Sequence, residues 1–218
     1  MAIITRDGLD IVVTTWVVFI VFLILTLIFN GPVLLTVTIL AGLFAVFNLS
    51  FFRDPERKIP DNPDAIVSPA DGKVVLIEKV NEKKFFDTDV MRVSIFLSVF
   101  NVHVNRSPIS GKVEHFAYKV GAFLQAFRRE ASVENEQTSI GIIDEKNRKI
   151  MFTQIAGILA RRIICRLREG HETRVGDRMG MIRYGSRVDV YFLENEVDIS
   201  VKINDRVKGG ESIIGVFK

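Results

Sequence analysis

The 218-residue sequence contains few of the residues on which many functional sites are built: one cysteine, three histidines and one tryptophan. A single cysteine, Cys165, excludes an intramolecular disulfide and a metal cluster built from several thiolates. It lies in an apolar stretch, so we expect a buried, unreactive thiol. The sequence also lacks internal repeats, low-complexity tracts and a nucleotide-binding glycine loop. It therefore predicts no metal, no separately bound cofactor and no nucleic-acid partner.

Charged residues are absent from two long segments near the N-terminus. Residues 11–29 and 33–52 are apolar and uncharged, and Asn30-Gly31-Pro32 separates them. About 20 helical residues cross a hydrocarbon core of roughly 30 Å, and backbone groups in lipid must form hydrogen bonds within their own segment. We therefore predict a membrane-anchoring, transmembrane helical hairpin over residues 1–52.

The basic residues Arg53, Arg57 and Lys58 follow the second apolar segment. Positive residues beside membrane ends favour the cytoplasm, so we expect the rest of the chain on the cytoplasmic side of the cell membrane. Its mildly basic composition suits a domain that rests on anionic lipid. Two alternatives stay open, a cleaved signal peptide in the first segment and a shallow hairpin that does not fully cross.

Residues 53–65 are rich in proline and charge, which predicts a linker, and residues 66–218 form the second predicted domain. There, short β-branched and aromatic segments alternate with turn signals. This pattern predicts a mainly β fold, a β-rich sandwich or barrel-like domain. The predicted strands are 74–80, 92–99, 111–118, 138–143, 150–155, 187–193, 197–202 and 212–217, whereas 121–129 and 158–169 could form helix or strand.

Two polar segments contain candidate site residues. Asp71 lies in a tight turn, where an aspartate most simply bonds the nearby backbone. His103 follows an apolar strand and is a candidate general base and acid, because the unperturbed pKa of histidine lies near neutrality. A histidine with no chemical role is the plainer interpretation. His115 and His171 lie in settings that suggest no chemistry.

A third segment places Gly185 directly before Ser186. A turn that opens a strand is the plain interpretation. Glycine also has no side chain to hinder attack on its carbonyl, and it permits a strained backbone. Attack of the Ser186 hydroxyl on the Gly185 carbonyl is therefore a second interpretation of the same segment.

The C-terminal segment 201–215 resembles the closing hairpin of lipoyl- and biotinyl-type carrier domains and of membrane-fusion adaptors. A carrier needs an exposed lysine at a hairpin tip, and neither Lys73 nor Lys208 has that setting. Only a shared barrel-like architecture is inferred. Two rival functions stay open, a membrane-anchored non-enzymatic adaptor and a membrane serine protease that uses Ser186 and His103 in trans.

Together these motifs resemble the short proenzyme form of the phosphatidylserine decarboxylase family over nearly the whole chain. Each motif is weak alone, but their order and spacing are specific. After the apolar hairpin they are FFRDP (51–55), SPADG (68–72), FLS (96–98), NVHVNRSP (101–108), ENE (134–136) and RMGMIRYGSR (178–187).

The resemblance implies a self-processing, pyruvoyl-dependent decarboxylation of phosphatidylserine to phosphatidylethanolamine and carbon dioxide. It implies that Ser186 attacks Gly185, that the chain is cleaved between them, and that position 186 becomes a covalent pyruvoyl cofactor. His103 would be the base, and Asp71 would orient its imidazole.

The implied partners are phosphatidylserine in an anionic membrane and the two cleavage products, which would stay associated; an oligomer is compatible with the sequence. A related serine-headgroup lipid remains an alternative substrate. One departure from the family pattern concerns the histidine motif. Longer members carry two histidines there, whereas Arg106 occupies the region of the second here. His103 would then serve both self-cleavage and decarboxylation, or share its role with another group.

Overall fold

A computed structural model of the protein describes residues 3–126, 128, 130–158 and 162–218. The chain divides into two compact units, Met1–Glu56 and Arg57–Lys218. All residues proposed above for chemistry belong to the second unit.

The first unit is a pair of packed helices, α1 (Leu9–Phe29) and α2 (Pro32–Phe51), preceded by a 3-10 turn at Arg6–Gly8. The left-handed Asn30, with φ of 46°, ends α1, and Pro32 opens α2, as is usual for these residues. The hydroxyls of Thr26 and Thr38 lie 2.7 Å apart between the helices. Both helices are long and apolar enough to cross a membrane, which indicates membrane association. The predicted helical hairpin is confirmed.

Two short strands, β1 (Ile3–Ile4) and β2 (Arg53–Asp54), pair antiparallel within the same unit. They join the chain before α1 to the chain after α2. The start of the segment predicted as a linker is therefore ordered by backbone hydrogen bonds.

The second unit is mainly β, as the sequence predicts. Its strands are β3 (Ala65–Val67), β4 (Gly72–Glu82), β5 (Thr88–Leu97), β6 (Val104–Arg106), β7 (Gly111–Lys119), β8 (Gln137–Ile143), β9 (Lys149–Ala156), β10 (Ile163–Cys165), β11 (Glu172–Thr173), β12 (Arg178–Ile182), β13 (Ser186–Phe192), β14 (Val197–Ile199), β15 (Arg206–Val207) and β16 (Ile213–Phe217), with one helical turn, α3 (Ala131–Glu134). An eight-stranded antiparallel sheet in the order β11-β7-β8-β9-β13-β5-β4-β15 curls into a half-barrel. Two three-stranded sheets, β10-β12-β6 and β14-β16-β3, accompany it.

Alternation along β13 separates an apolar face from a polar one. Val188, Val190 and Phe192 join the main hydrophobic core, together with alternate residues of β5 and β9. The intervening Arg187 and Asp189 are also fully buried, but they point to the opposite face of the sheet. A strand buried on both faces explains why every residue of β13 is buried.

The position of β13 in the sheet brings the candidate site together. Ser186, its first residue, pairs with Leu97 at the end of β5 and with Ala156 at the end of β9. The segments that follow β5 and β9 therefore emerge beside Ser186.

Each of the eight predicted strands overlaps an observed one. Strand 197–202 is shorter than predicted, because the Lys202 amide donates to the Asp205 carboxylate and begins a turn. The described part of 121–129 forms neither helix nor strand, apart from a bridge between Ala122 and Asn135. The described part of 158–169 contains β10, and the predictions for residues 127, 129 and 159–161 lie outside the described residues.

Candidate active site

The bond between Gly185 and Ser186 lies in a turn with unusual backbone angles. Tyr184 has φ of 59° and Gly185 has φ of 78°, so two consecutive residues adopt the left-handed conformation. For a residue with a side chain, that conformation costs roughly 1–2 kcal/mol. Ser186 follows at once and is fully buried, and its Oγ has no hydrogen-bond partner among the described residues. A buried hydroxyl without a hydrogen-bond partner among the described residues and a left-handed turn thus meet at this bond.

His103 lies against the same bond. Its Nε2 is 3.4 Å from the backbone nitrogen of Gly185, which donates to it. Its Nδ1 is 3.0 Å from the carbonyl oxygen of Asn101, to which an Nδ1–H donates. The two contacts favour the neutral imidazole with the proton on Nδ1. In that tautomer the lone pair of Nε2 accepts the N–H of Gly185, the residue before Ser186.

Asp71 makes a different set of bonds. Its two carboxylate oxygens accept from the Arg57 guanidinium at 2.8 and 2.9 Å, and the Gly209 amide donates to Oδ1 at 2.8 Å. These are its hydrogen bonds among the described residues. The structure therefore brings His103 to the amide of Gly185, next in sequence to Ser186, and it places Asp71 in a largely buried ion pair with Arg57. The Asn101 carbonyl is the group that orients Nδ1 of His103 here.

Gly157 is part of the site although the sequence analysis does not single it out. A Cβ built on this residue would lie 2.6 Å from the carbonyl oxygen of Gly185. A side chain at position 157 would therefore collide with the carbonyl that Ser186 is expected to attack. The only sequence signal is an isolated glycine directly after an apolar strand, which also suits an ordinary turn.

Arg106, which occupies the region of the family's second histidine, is buried. Its guanidinium donates to the Gly176 carbonyl oxygen at 2.9 Å. Beside it on β6, the buried Asn105 accepts from the Gln154 amide at 2.8 Å. This neighbourhood is polar and packed, and it gives Arg106 a clear structural role.

Arg187 ties the loop before β8 to the start of β13. Its guanidinium forms two bonds with Asp189, at 2.6 and 2.8 Å, and donates to Ser132 and to the Arg128 carbonyl. Arg187 and Asp189 are completely buried. Such a pair is bidentate and well satisfied, which a buried charge requires. Arg187, directly after Ser186, is thereby held by hydrogen bonds to three residues.

The other groups considered in the sequence analysis lie elsewhere. His115, in β7, has its ring 5.9 Å from that of Phe85, and His171 lies in an exposed turn. Cys165 is half-buried, not buried as expected. Its partial burial still raises the pKa of the thiol, which suits an unreactive role. Among the described residues, no cluster of three or more histidine, cysteine or carboxylate side chains could hold a metal ion.

Comparison with known proteins identifies the family of the chain. The model of the phosphatidylserine decarboxylase family matches residues 44–215. The chain belongs to the phosphatidylserine decarboxylase family. It is therefore an enzyme, a decarboxylase, and both of these predictions are confirmed.

Several relatives named phosphatidylserine decarboxylase proenzyme share this sequence over most of its length. The protein of Desulfotalea psychrophila is 46% identical over 173 residues, 79% of this chain and 80% of the relative. That of Chlorobium limicola is 44% identical over 189 residues, 87% of this chain and 88% of the relative. That of Oleidesulfovibrio alaskensis is 40% identical over 215 residues, 99% of this chain and 94% of the relative, so the similarity includes the helical hairpin.

Proposed function

We propose that the chain cleaves itself between Gly185 and Ser186 and then decarboxylates phosphatidylserine to phosphatidylethanolamine. One observation carries the proposal. The unprotonated Nε2 of His103 lies 3.4 Å from the nitrogen of Gly185, the residue before Ser186, whose hydroxyl is buried and has no hydrogen-bond partner among the described residues. A base and a nucleophile next to the bond to be broken are the parts that nucleophilic self-cleavage needs.

The proposed cleavage uses residues of this chain alone. Nε2 of His103 accepts the Ser186 hydroxyl proton while Oγ attacks the Gly185 carbonyl carbon. The amide bond breaks, and an ester from Gly185 to Oγ replaces it. Removal of the Ser186 Cα proton then expels Gly185 as a carboxylate and leaves a dehydroalanine. Water replaces its nitrogen, which departs as ammonia, so the chain 186–218 begins with a pyruvoyl group.

The residues present fit such a group. Position 186 is the first residue of a buried strand. Gly157 has no side chain, which leaves room for the carbonyl group of Gly185 before position 186. A pyruvoyl group supplies a carbonyl that takes up the electron pair left behind when carbon dioxide departs, the role of an electron sink. His103, 3.4 Å from the Gly185 nitrogen in the uncleaved chain, is the group proposed to return a proton to the product.

Asp71 remains a proposed site residue that acts by positioning. Its bonds to Arg57 and to the Gly209 amide connect residues distant in sequence to the turn before β4. We propose that Asp71 holds this turn in place beside the site, and that the imidazole is oriented by the Asn101 carbonyl.

The substrate and the location follow from the relatives and the hairpin. The printed names of the relatives assign phosphatidylserine to them. This chain carries two helices that suit a membrane, where such a lipid resides. The basic residues after α2 support a catalytic unit on the cytoplasmic side. A related serine-headgroup lipid remains an alternative substrate.

The Ser186→Ala variant tests the proposal, because alanine offers no nucleophile and cannot yield a pyruvoyl group. We expect one uncleaved chain by denaturing mass spectrometry and no release of carbon dioxide from phosphatidylserine. Ser110→Ala, at an unrelated serine, is the matched control and should be cleaved like the wild type. A Ser186→Ala protein that still separates into two chains would refute the assignment.

A further inference from the structure

Large apolar side chains are exposed in the second unit almost exclusively at one end of its main sheet. Among the described residues of this unit, seven such side chains are well exposed, and six of them lie near the strand ends at which Ser186 is found. The seventh, Ile203, lies in the turn before β15. We call the six the site rim: Phe100, Tyr118, Val120, Phe123, Val133 and Ile158.

The strand order explains why the site rim is contiguous with the site. Phe100 follows β5, Ile158 follows β9 and Val120 follows β7, whereas Val133 precedes β8. The register aligns these four strand ends with the start of β13. Five neighbouring strands, about 4.8 Å apart, spread the rim over roughly 20 Å. The Gly185–Ser186 bond lies within that span.

Two residues of the rim are mostly exposed to solvent. Val120 and Val133 are 76% and 67% exposed. A contiguous group of exposed apolar side chains usually marks an interaction surface. Exposed cations accompany the rim, Lys119 at the end of β7 and Arg128 and Arg162 on the loops, together with the exposed carboxylates of Glu130 and Glu134.

The attached hairpin identifies the partner. The segment 52–56 joins the end of α2 to the second unit, and five residues span at most about 18 Å. A bilayer that holds α2 is therefore always within reach of this unit. An apolar rim with cations beside it suits the interface of an anionic bilayer, where acyl chains and headgroups meet.

We propose that the site rim inserts into the interfacial region of an anionic bilayer and thereby holds the Gly185–Ser186 site at headgroup depth. The inference rests on the proposed function. It explains how the site reaches the headgroup of a lipid substrate while the acyl chains stay in the bilayer. The hairpin keeps the enzyme at the membrane, and the rim sets the orientation of the site.

Tryptophan fluorescence tests the insertion directly. Trp16, the only native tryptophan, is first replaced by phenylalanine. Val133→Trp or Ile203→Trp is then introduced as the single tryptophan of the full chain, which is reconstituted in vesicles that contain phosphatidylserine. We expect lipids brominated near the headgroup to quench the tryptophan at 133 and to leave that at 203, which aqueous acrylamide quenches instead. Equal lipid quenching at both positions would overturn the proposal. So would a tryptophan at 133 that acrylamide reaches, or one that neither quencher reaches because protein covers it.

Turnover provides the functional test. We compare the rates on bilayer phosphatidylserine and on a dispersed short-chain analogue for Val133→Asp and for the control Ile203→Asp. The ratio of bilayer to dispersed turnover should fall roughly tenfold for Val133→Asp, the factor that corresponds to about 1.4 kcal/mol. It should stay unchanged for Ile203→Asp. Equal ratios in the two variants would contradict the proposed insertion of the site rim into the bilayer.

Failure of the proposed function has a separate signature. If the wild-type chain is uncleaved and converts neither lipid, the function is wrong, whatever the quenching shows. If the wild type is cleaved and active but position 133 stays unquenched by lipid, the function stands and the rim is wrong.

Discussion

The imidazole of His103 is held between two backbone groups, the Asn101 carbonyl and the Gly185 amide. Both contacts favour the same tautomer, in which Nε2 is unprotonated, and Nε2 exchanges the long contact with the Gly185 amide for the Ser186 hydroxyl when it accepts a proton. General bases of this kind contribute typically 10²–10⁴-fold to a rate. The single histidine of the motif is thus held in place by backbone groups on both sides of its ring.

His103→Gln should therefore slow self-cleavage at least about 100-fold, because glutamine fills similar space but accepts no proton. The uncleaved fraction is followed by denaturing mass spectrometry after synthesis. His171→Gln, at an exposed histidine outside the site, is the matched control and should be cleaved at the wild-type rate. Normal cleavage of His103→Gln would remove this residue from the mechanism.

Gly157 carries a second prediction at the residue scale. A methyl group there would displace the Gly185 carbonyl, since the built Cβ lies only 2.6 Å from its oxygen. A displacement of about 1 Å at a reacting group can cost about 100-fold in rate. We expect Gly157→Ala to be cleaved more slowly by a factor of this order. Gly31→Ala, where a Cβ meets nothing within 4 Å, should be cleaved normally; equal rates for the two variants would show that the close approach has no role.

Asp71 and Arg57 form a pair whose two members can be compared. If Asp71 acts through this ion pair, Asp71→Asn and Arg57→Gln should lower the melting temperature by similar amounts and slow cleavage to a similar degree. Breaking a buried pair costs about 3–5 kcal/mol, and this pair, with side chains 6% and 13% exposed, should approach the lower figure. A much slower cleavage of Asp71→Asn than of Arg57→Gln would instead indicate direct action on His103.

At the scale of elements, β13 combines structural and chemical roles. Its interior residues Arg187 and Asp189 bind the loop before β8, and its first residue is the proposed nucleophile. Removing the carboxylate charge would leave a buried guanidinium without its counter-ion. The loop that flanks the site therefore depends on a pair within the strand.

We expect Asp189→Asn to lower the free energy of unfolding by roughly 3–5 kcal/mol, measured by chemical denaturation in detergent. The measurement uses the Ser186→Ala background, so that each sample is one chain. Glu194→Gln breaks the exposed pair with Lys79, whose side chains are 62% and 55% exposed, and should cost at most about 1 kcal/mol. Similar losses in both variants would contradict the importance assigned to the buried pair.

The strands could be predicted from sequence because their signal is local. Alternating apolar residues and turn residues mark β4, β5 and β7 without knowledge of their partners. The loop at 121–136 could not be predicted in the same way. The Asn135 side chain forms hydrogen bonds with the backbone of Leu124 and of Ala156. The conformation of this loop therefore depends on contacts between distant parts of the chain and not on a regular local pattern.

The site was predictable only in part for the same reason. The motif resemblance led to Ser186 and His103, which the fold brings together. Arg57, the partner of Asp71, lies in the segment predicted as a linker. Gly157 and Gly185 approach each other at the ends of two neighbouring strands, β9 and β13. Neither contact leaves a local pattern in the sequence.

At the scale of the whole molecule, the proposed cleavage cuts next to a central strand. Residues 186–218 contain β13, which pairs with β5 on one side and with β9 on the other. They also supply β14, β15 and β16 to the folded unit. The two products are therefore expected to stay associated in native conditions, held by the same sheet and core as the uncut chain.

The central claim is tested most directly by the intact mass of the purified wild-type protein. Under native conditions we expect one complex, and under denaturing conditions two chains. The smaller chain should begin at position 186 and be lighter than its encoded sequence by the mass of one ammonia. A single full-length chain in an active preparation would contradict the account, because decarboxylation would then proceed without a pyruvoyl group derived from Ser186.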